Sequence, residues 1–187
     1  MAFLGFRVPH ETSRLFRDIE VPGTKTEMGQ YHVTLLYLGN DIEVDVLAEA
    51  LKATYAVTSK TRHFTVRTSM VMSFPPSPED GHPVVARITS DELHDLRERL
   101  VLAFDEGGID FNKKYPDYKP HVTLSYAGDA VDEFRIPTIE WGAHELVMWG
   151  GDDGDRKLTV TFPLALRSDE KVTAQSLADR YLLRQSP

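Results

Sequence analysis

The order of hydrophobic and polar positions along the chain predicts a mixture of strands and helices. Apolar residues recur every three or four positions in residues 42–55 and again between Ser90 and Gly107, the spacing of amphipathic helices. Thr89 and Ser90 can both cap the second helix, and Thr89 and Glu92 have the spacing of a capping box. Short or alternating apolar runs predict strands at residues 3–8, 29–38, 63–69, 70–74, 83–88, 121–126, 146–149 and 157–162. Because the order is not a strict βαβ alternation, the pattern favours an α+β fold with mostly antiparallel pairing.

One sequence motif occurs twice. Residues 32–39 read HVTLLYLG and residues 121–128 read HVTLSYAG, so six of eight positions are identical. A single pair of repeats indicates two lobes of related shape rather than a solenoid.

Successive residues of a strand point to opposite faces, so each copy of the motif has two faces. One face presents a histidine, a threonine and the residue two positions later: His32, Thr34 and Leu36 in the first copy, His121, Thr123 and Ser125 in the second. The other face is expected to lie in the core: Val33, Leu35 and Tyr37 in the first copy, Val122, Leu124 and Tyr126 in the second. If the lobes pack about a pseudo-twofold axis, the two histidine faces line one cleft.

An imidazole beside a hydroxyl on both walls of a cleft suits phosphodiester cleavage. One histidine takes a proton from the incoming oxygen and the other protonates the departing one, and their ordinary pKa near 6.5 makes both forms available. A threonine hydroxyl can donate to a non-bridging phosphate oxygen. This chemistry requires no metal or other cofactor, and no metal-ligand spacing such as His-Glu-x-x-His is present. His32, Thr34, His121 and Thr123 are therefore the predicted catalytic residues.

Composition and charge limit the classes of partner that this protein can have. The 187 residues include no cysteine, which excludes a disulfide framework and a thiol nucleophile. The net charge of −8 argues against long duplex nucleic acid as the main partner. No apolar run is long enough to span a bilayer, and the N-terminal residues do not resemble an export signal. We expect a monomer in the cytoplasm, or in the host cytoplasm for a viral source, that binds a small nucleotide or oligonucleotide.

The paired H-x-T-x motifs resemble those of the 2H phosphoesterase superfamily. The segments that carry the resemblance are FLGFRVP, YHVTLLYLG, YKPHVTLSYAG and the closing LVMWGG…KLTVTFPLAL. The resemblance implies one bilobal domain over residues 1–167, with two antiparallel sheets and flanking helices around a central cleft. Residues 168–187 would then form a separate helical tail. By the same resemblance, the two histidines and two threonines of the motifs form the catalytic set.

The resemblance also implies an enzyme that hydrolyses or transesterifies phosphodiesters, either cyclic phosphates or short cyclic oligonucleotides. Several RNA-type members carry a basic residue two positions after the motif threonine, where this chain has Leu36 and Ser125. That difference and the acidic charge favour small substrates, such as the cyclic-nucleotide signals attacked by phage anti-CBASS nucleases. Two alternatives stay open: a 2H fold that binds a nucleotide without cleaving it, and an RNA-processing 2′,3′-cyclic phosphodiesterase. Which histidine is the acid and which the base also stays open.

Five further residues are candidates for substrate binding: Arg7 on the first strand, Tyr115, Tyr118 and Lys119 in the loop before the second motif, and Ser125 within it. A basic side chain there would meet a phosphate and a tyrosine ring would stack on a base. The alternative for each is a solvated or packed residue with no role in binding.

Overall fold

The computed structural model describes residues 2–40, 42–113, 117–150 and 158–165. These residues form nine strands, three α-helices and one 3₁₀ turn, Met28–Gln30. In chain order the elements are β1 (Ala2–Arg7), α1 (His10–Asp18), β2 (Thr24–Lys25), β3 (His32–Gly39), α2 (Val44–Thr58), β4 (Phe64–Ser73), β5 (His82–Thr89), α3 (Asp91–Glu106), β6 (His121–Ala127), β7 (Phe134–Ala143), β8 (Glu145–Gly150) and β9 (Leu158–Pro163). The predicted tail at residues 168–187 lies outside the described residues.

The strands pair into two antiparallel sheets. Sheet A has the order β3-β1-β8-β9 and sheet B the order β2-β6-β5-β4-β7. In both sheets the motif strand pairs with a strand that precedes it in the chain, β3 with β1 and β6 with β5. The predicted α+β fold with two related antiparallel sheets is confirmed.

A single hydrophobic core connects the two sheets and the helices. The predicted apolar stripe of α3 is fully buried, with Leu93, Leu96, Leu100 and Phe104 at 0% exposure. Burying a leucine side chain of this kind stabilises the fold by roughly 1.5–3 kcal/mol. Phe6 of β1 meets Phe64 of β4 edge to face, with ring centroids 5.7 Å apart, so the sheets share side chains in that core.

The ends of several elements differ from the predictions. The predicted strand at residues 29–38 begins only at His32, because the 3₁₀ turn precedes it. Residues 63–69 and 70–74 form one strand, β4, whose register shifts between Thr68 and Met70. The cap of α3 is the Ser90 hydroxyl, which accepts from the Leu93 amide at 3.3 Å, so the predicted capping box at Thr89 is wrong.

Three elements have no counterpart among the predictions. Helix α1 is only nine residues long and buries Thr12 and Ser13 beside Phe16, so its buried face carries one large apolar residue. Strand β7 lies at the edge of sheet B and contains Pro137, a residue that edge strands tolerate. Strand β2 is only two residues long.

Strand β3 carries a bulge directly after its motif threonine. Gly5 of β1 lies opposite Thr34, whereas Leu4 lies opposite Leu36, so Leu35 has no partner across this strand pair. One extra residue in a strand reverses the inward and outward alternation beyond it.

Strand β6 carries the same bulge at the equivalent place. Val85 of β5 lies opposite Thr123 and Val84 lies opposite Ser125, which leaves Leu124 unpaired on that side. The two copies of the motif therefore share a backbone irregularity as well as a sequence.

The bulges reverse the predicted faces beyond Leu35 and Leu124, which lie in the core as predicted. Leu36 is only 2% exposed and Ser125 is fully buried, so neither shares the histidine face. Tyr126, predicted to lie in the core, is 39% exposed, and Tyr37 is half-buried. The predicted faces are correct for the histidines and threonines, which precede the bulges.

None of the helices within the described ranges has the length and apolar character needed to cross a membrane.

Candidate active site

The two motif histidines are held by the same hydrogen bond. Nδ1 of His32 lies 2.7 Å from the carbonyl oxygen of Gln30, and Nδ1 of His121 lies 2.7 Å from that of Lys119. A carbonyl oxygen only accepts, so Nδ1 carries the proton in both rings. Nε2 is then the nitrogen that gains or loses a proton. We call His32 and His121 the paired histidines.

Three features bring the two motifs to one place. Strands β3 and β6 contact each other although they belong to different sheets. The Tyr118 hydroxyl, just before β6, donates to the carbonyl oxygen of Thr34 at 3.1 Å. Burial is the main cause that lowers the pKa of His121, and a positive charge on His32 lowers it further. The paired histidines therefore act within one electrostatic environment.

Burial is the main influence on the protonation of both rings. It lowers the pKa of His32 and of His121 below the ordinary value of 6.5, and the hydrogen bonds to the Gln30 and Lys119 carbonyls oppose this effect in part. Both rings thus favour the neutral form near pH 7. An anion bound beside them would favour the imidazolium and raise the pKa again.

The motif threonines lie on the histidine faces, as predicted. Thr34 and Thr123 are half-buried and lie two residue pairs along the strands from the histidines, on the same face. Gly5, opposite Thr34, leaves no room for a side chain, because a Cβ atom there would lie 2.5 Å from the Val33 carbonyl oxygen. The close approach of β1 to β3 at this point therefore requires glycine.

Aromatic rings pack against both imidazoles. The rings of Phe3 and Trp149 lie 5.1 Å and 5.8 Å from that of His32 and stack on each other at 4.9 Å. On the other side, Phe74 meets His121 edge to face at 4.7 Å. The predictions did not include Phe3 or Trp149 as site residues. Placing them required the register of β1 and β8, which the sequence does not contain.

An arginine lies opposite each of the paired histidines. Arg7, a predicted binding residue, pairs with His32 in the register of β1 and β3, and its guanidinium lies 5.8 Å from the Trp149 ring centroid. Arg87 pairs with His121 in the register of β5 and β6, at the equivalent place, and was not predicted. Both side chains are exposed.

The remaining predicted binding residues have different surroundings. Ser125 is buried and donates to the Pro22 carbonyl at 2.7 Å, so it is not placed to contact a substrate. Lys119 is exposed, while Tyr118 is half-buried between His94 and Arg97. Tyr115 lies outside the described residues.

Over the described ranges, no group of three or more His, Asp or Glu side chains has an arrangement that holds a metal ion. The reactive groups around the paired histidines are imidazoles, threonine hydroxyls and guanidiniums.

Comparison with known proteins identifies the family. The model of the 2'-5' RNA ligase superfamily matches residues 26–155, which include both histidine motifs. The anti-CBASS protein Acb1 of Vibrio phage KVP40 is 30% identical over 128 residues, covering 62% of this chain and 71% of that protein.

Solved structures share the fold. TT0787 of Thermus thermophilus superposes with a TM-score of 0.67 at 18% identity, over 87% of this chain and 97% of that chain. E. coli LigT complexed with 3'-AMP superposes with a TM-score of 0.64 at 17% identity, over 88% and 94%. The resemblance to the 2H phosphoesterases, first stated from the paired motifs, is confirmed. The chain belongs to the 2'-5' RNA ligase superfamily.

Proposed function

We propose that this protein is a phosphodiesterase that cleaves nucleotide or oligonucleotide phosphodiesters with the paired histidines as acid and base. The observation that carries the proposal is the mirrored hydrogen bond from Nδ1 of each ring to a backbone carbonyl. It leaves Nε2 as an acceptor in the neutral ring and as a donor in the imidazolium. Two such nitrogens on facing strands supply both proton transfers of the reaction.

The proposed reaction proceeds by in-line displacement at phosphorus. The neutral ring takes a proton from the attacking oxygen. This oxygen is water for a 2′,3′-cyclic phosphate, the ribose 2′-hydroxyl for a 3′,5′ linkage, and the ribose 3′-hydroxyl for a 2′,5′ linkage. The new P–O bond forms as the opposite P–O bond breaks, and the protonated ring donates its Nε2 proton to the departing oxygen. The hydroxyls of Thr34 and Thr123 donate to the non-bridging oxygens, where negative charge increases.

The lowered pKa values fit this division of roles. In the free protein, burial favours two neutral rings, so one of them is ready to act as the base. A bound phosphodiester is an anion and favours protonation of the ring that lies nearer the leaving oxygen. Substrate binding would thus create the acid.

Small substrates are favoured within this class. The relative named as an anti-CBASS protein supports cyclic oligonucleotides, and a protein of the same fold is complexed with 3'-AMP. The net charge of −8 disfavours a long polyanion. Neither Leu36 nor Ser125 places a cation two positions after the motif threonine, and both are buried.

A substrate panel tests the proposal. Purified protein is incubated in EDTA with 2′,3′-cyclic AMP, linear 2′,5′-oligoadenylate, and cyclic di- and trinucleotides. We expect turnover of at least one substrate, unaffected by EDTA and lost in the His32→Ala/His121→Ala double variant. Absence of turnover, or turnover that EDTA abolishes, would reject the proposed mechanism. Tight binding by calorimetry with the ligand recovered intact would instead support a module that sequesters nucleotides.

A further inference from the structure

A polar pocket of about 460 Å³ lies between α3 and the segment that precedes β6. Its walls carry three cationic side chains, Arg87, Arg97 and Lys119, against two carboxylates, Glu98 and Asp117. His94 also contributes to the lining. In a protein with a net charge of −8, this is a local excess of positive charge.

The cations of the pocket are available to a ligand. The ion pairs observed within the described ranges are Lys52 with Glu49, Arg67 with Glu140 and Lys113 with Asp105, and none involves a pocket cation. Arg97 is half-buried, and its guanidinium lies over the Tyr118 ring, 5.1 Å from the centroid. A cation–π contact of this kind restricts the guanidinium without neutralising it.

The pocket adjoins the paired histidines. Arg87 lies directly opposite His121 in the sheet, and the Lys119 carbonyl accepts the hydrogen bond from that imidazole. Tyr118, which also lines the pocket, donates to the backbone of Thr34. A phosphate in the pocket would therefore lie next to the phosphorus that the histidines act on.

The corresponding region of sheet A is different. Arg7 matches Arg87 in register, but its guanidinium lies over the Trp149 ring. Within the part of the chain that the structure describes, Arg97 and Lys119 thus add positive charge on the sheet B side of the site.

We propose that this pocket binds a second phosphate of the substrate, adjacent to the scissile one, so that preferred substrates carry at least two phosphates. The inference rests on the proposed phosphodiesterase function and specifies its substrate class. Guanidinium groups favour phosphate because their N–H donors match its oxygens. The second phosphate is either a terminal monoester or the next linkage of a linear or cyclic oligonucleotide.

Binding measurements test whether the pocket holds a second phosphate, and they do not require turnover. The probes are adenosine 2′,5′-bisphosphate and 2′-AMP, two monoesters that a diesterase does not cleave, measured by titration calorimetry. We expect the bisphosphate to bind about tenfold more tightly. Arg97→Gln and Lys119→Gln should each remove most of this preference, whereas Arg99→Gln, an exposed arginine on the same helix outside the pocket, should retain it. Equal affinity for both probes in the unmodified protein, or equal losses in all three variants, would overturn the inference.

Turnover measurements distinguish a failure of this inference from a failure of the proposed function. The substrates are 2′,3′-cyclic AMP, the same compound with a 5′-phosphate, and a cyclic dinucleotide. We expect kcat/KM to be higher for one or both of the two-phosphate compounds, and the favoured one identifies the source of the second phosphate. Turnover with no preference would reject the pocket and leave the phosphodiesterase intact. A binding preference without turnover of any substrate would keep the pocket and reject the phosphodiesterase.

Discussion

Removing the paired histidines singly and together tests whether they act as one catalytic unit. A positioned acid or base contributes roughly 10²–10⁴ in rate. Because His32 and His121 have matching tautomers and matching hydrogen bonds, we expect similar losses from His32→Ala and His121→Ala, each about 10³-fold in kcat. That loss corresponds to about 4.1 kcal/mol of transition-state stabilisation. The double variant should fall only slightly further, since neither group completes the proton transfers without the other.

The structure also predicts that these variants fold. Each imidazole is half-buried and makes one hydrogen bond to a backbone carbonyl, and losing such a bond costs about 1 kcal/mol. For a chain of this size, the melting temperature should fall by about 2–4 °C. A large loss of activity with a small change in melting temperature therefore separates a catalytic role from a structural one.

The assay measures single-turnover and steady-state rates on the best substrate of the panel, with melting curves for every variant. His10→Ala is the matched control, because His10 is exposed at the start of α1. A single variant that keeps more than about a tenth of the rate would contradict the reasoning. So would a double variant whose loss is the product of the single losses, since that describes two independent groups.

Three further predictions concern the fold around the site. Tyr118→Phe removes the donor to the Thr34 carbonyl and should lower stability by about 1 kcal/mol, seen as a melting temperature about 2–4 °C lower; an unchanged melt would show that this bond does not stabilise the protein. Gly5→Ala places a Cβ atom 2.5 Å from a carbonyl oxygen and should cost about 1–3 kcal/mol in chemical denaturation, whereas Gly29→Ala, with no atom within 4 Å, should change stability by less than about 0.5 kcal/mol. Equal effects would refute the steric explanation. The pKa values of the paired histidines in the folded protein lie below the unfolded value of 6.5. Their contribution to the free energy of unfolding is therefore complete above pH 6.5 and is lost as the pH falls through the folded pKa values. Melts at about pH 7.5 and pH 5.5 should show a smaller difference in a variant without both histidines than in the unmodified protein, and equal differences would count against the lowered pKa values.

The catalytic face could be predicted from the sequence because it depends on local alternation. His32 and Thr34 are two residues apart in a strand, and no register is needed to place them on one face. The prediction is wrong beyond the bulge, because the pattern of side chains does not show that a strand contains an extra residue. The bulge at Leu35 moves Leu36 to the core. The apolar character of Leu36 did not by itself distinguish the core face of the strand from its histidine face.

Neighbouring strands supply the parts of the site that were not predicted. Trp149 reaches His32 because β8 pairs with β1, a contact between opposite ends of the chain. Arg87 faces the site because of its register against β6, and Arg97 because α3 packs near Tyr118. Long-range register of this kind follows from tertiary packing and turn geometry. The sequence alone predicted the helices that have a long apolar stripe and missed α1, whose buried face combines Phe16 with Thr12 and Ser13.

The topology of sheet A has a consequence for synthesis on the ribosome. Strand β1 is made first, yet one of its edges stays unpaired until β8 has been translated. Strands β4 to β7 of sheet B are consecutive in the chain and can pair with one another earlier. A nascent chain that ends before β8 already contains both imidazoles but lacks the indole of Trp149 that packs on one of them. The site is therefore completed only after both motifs have been translated, by strands that carry neither motif.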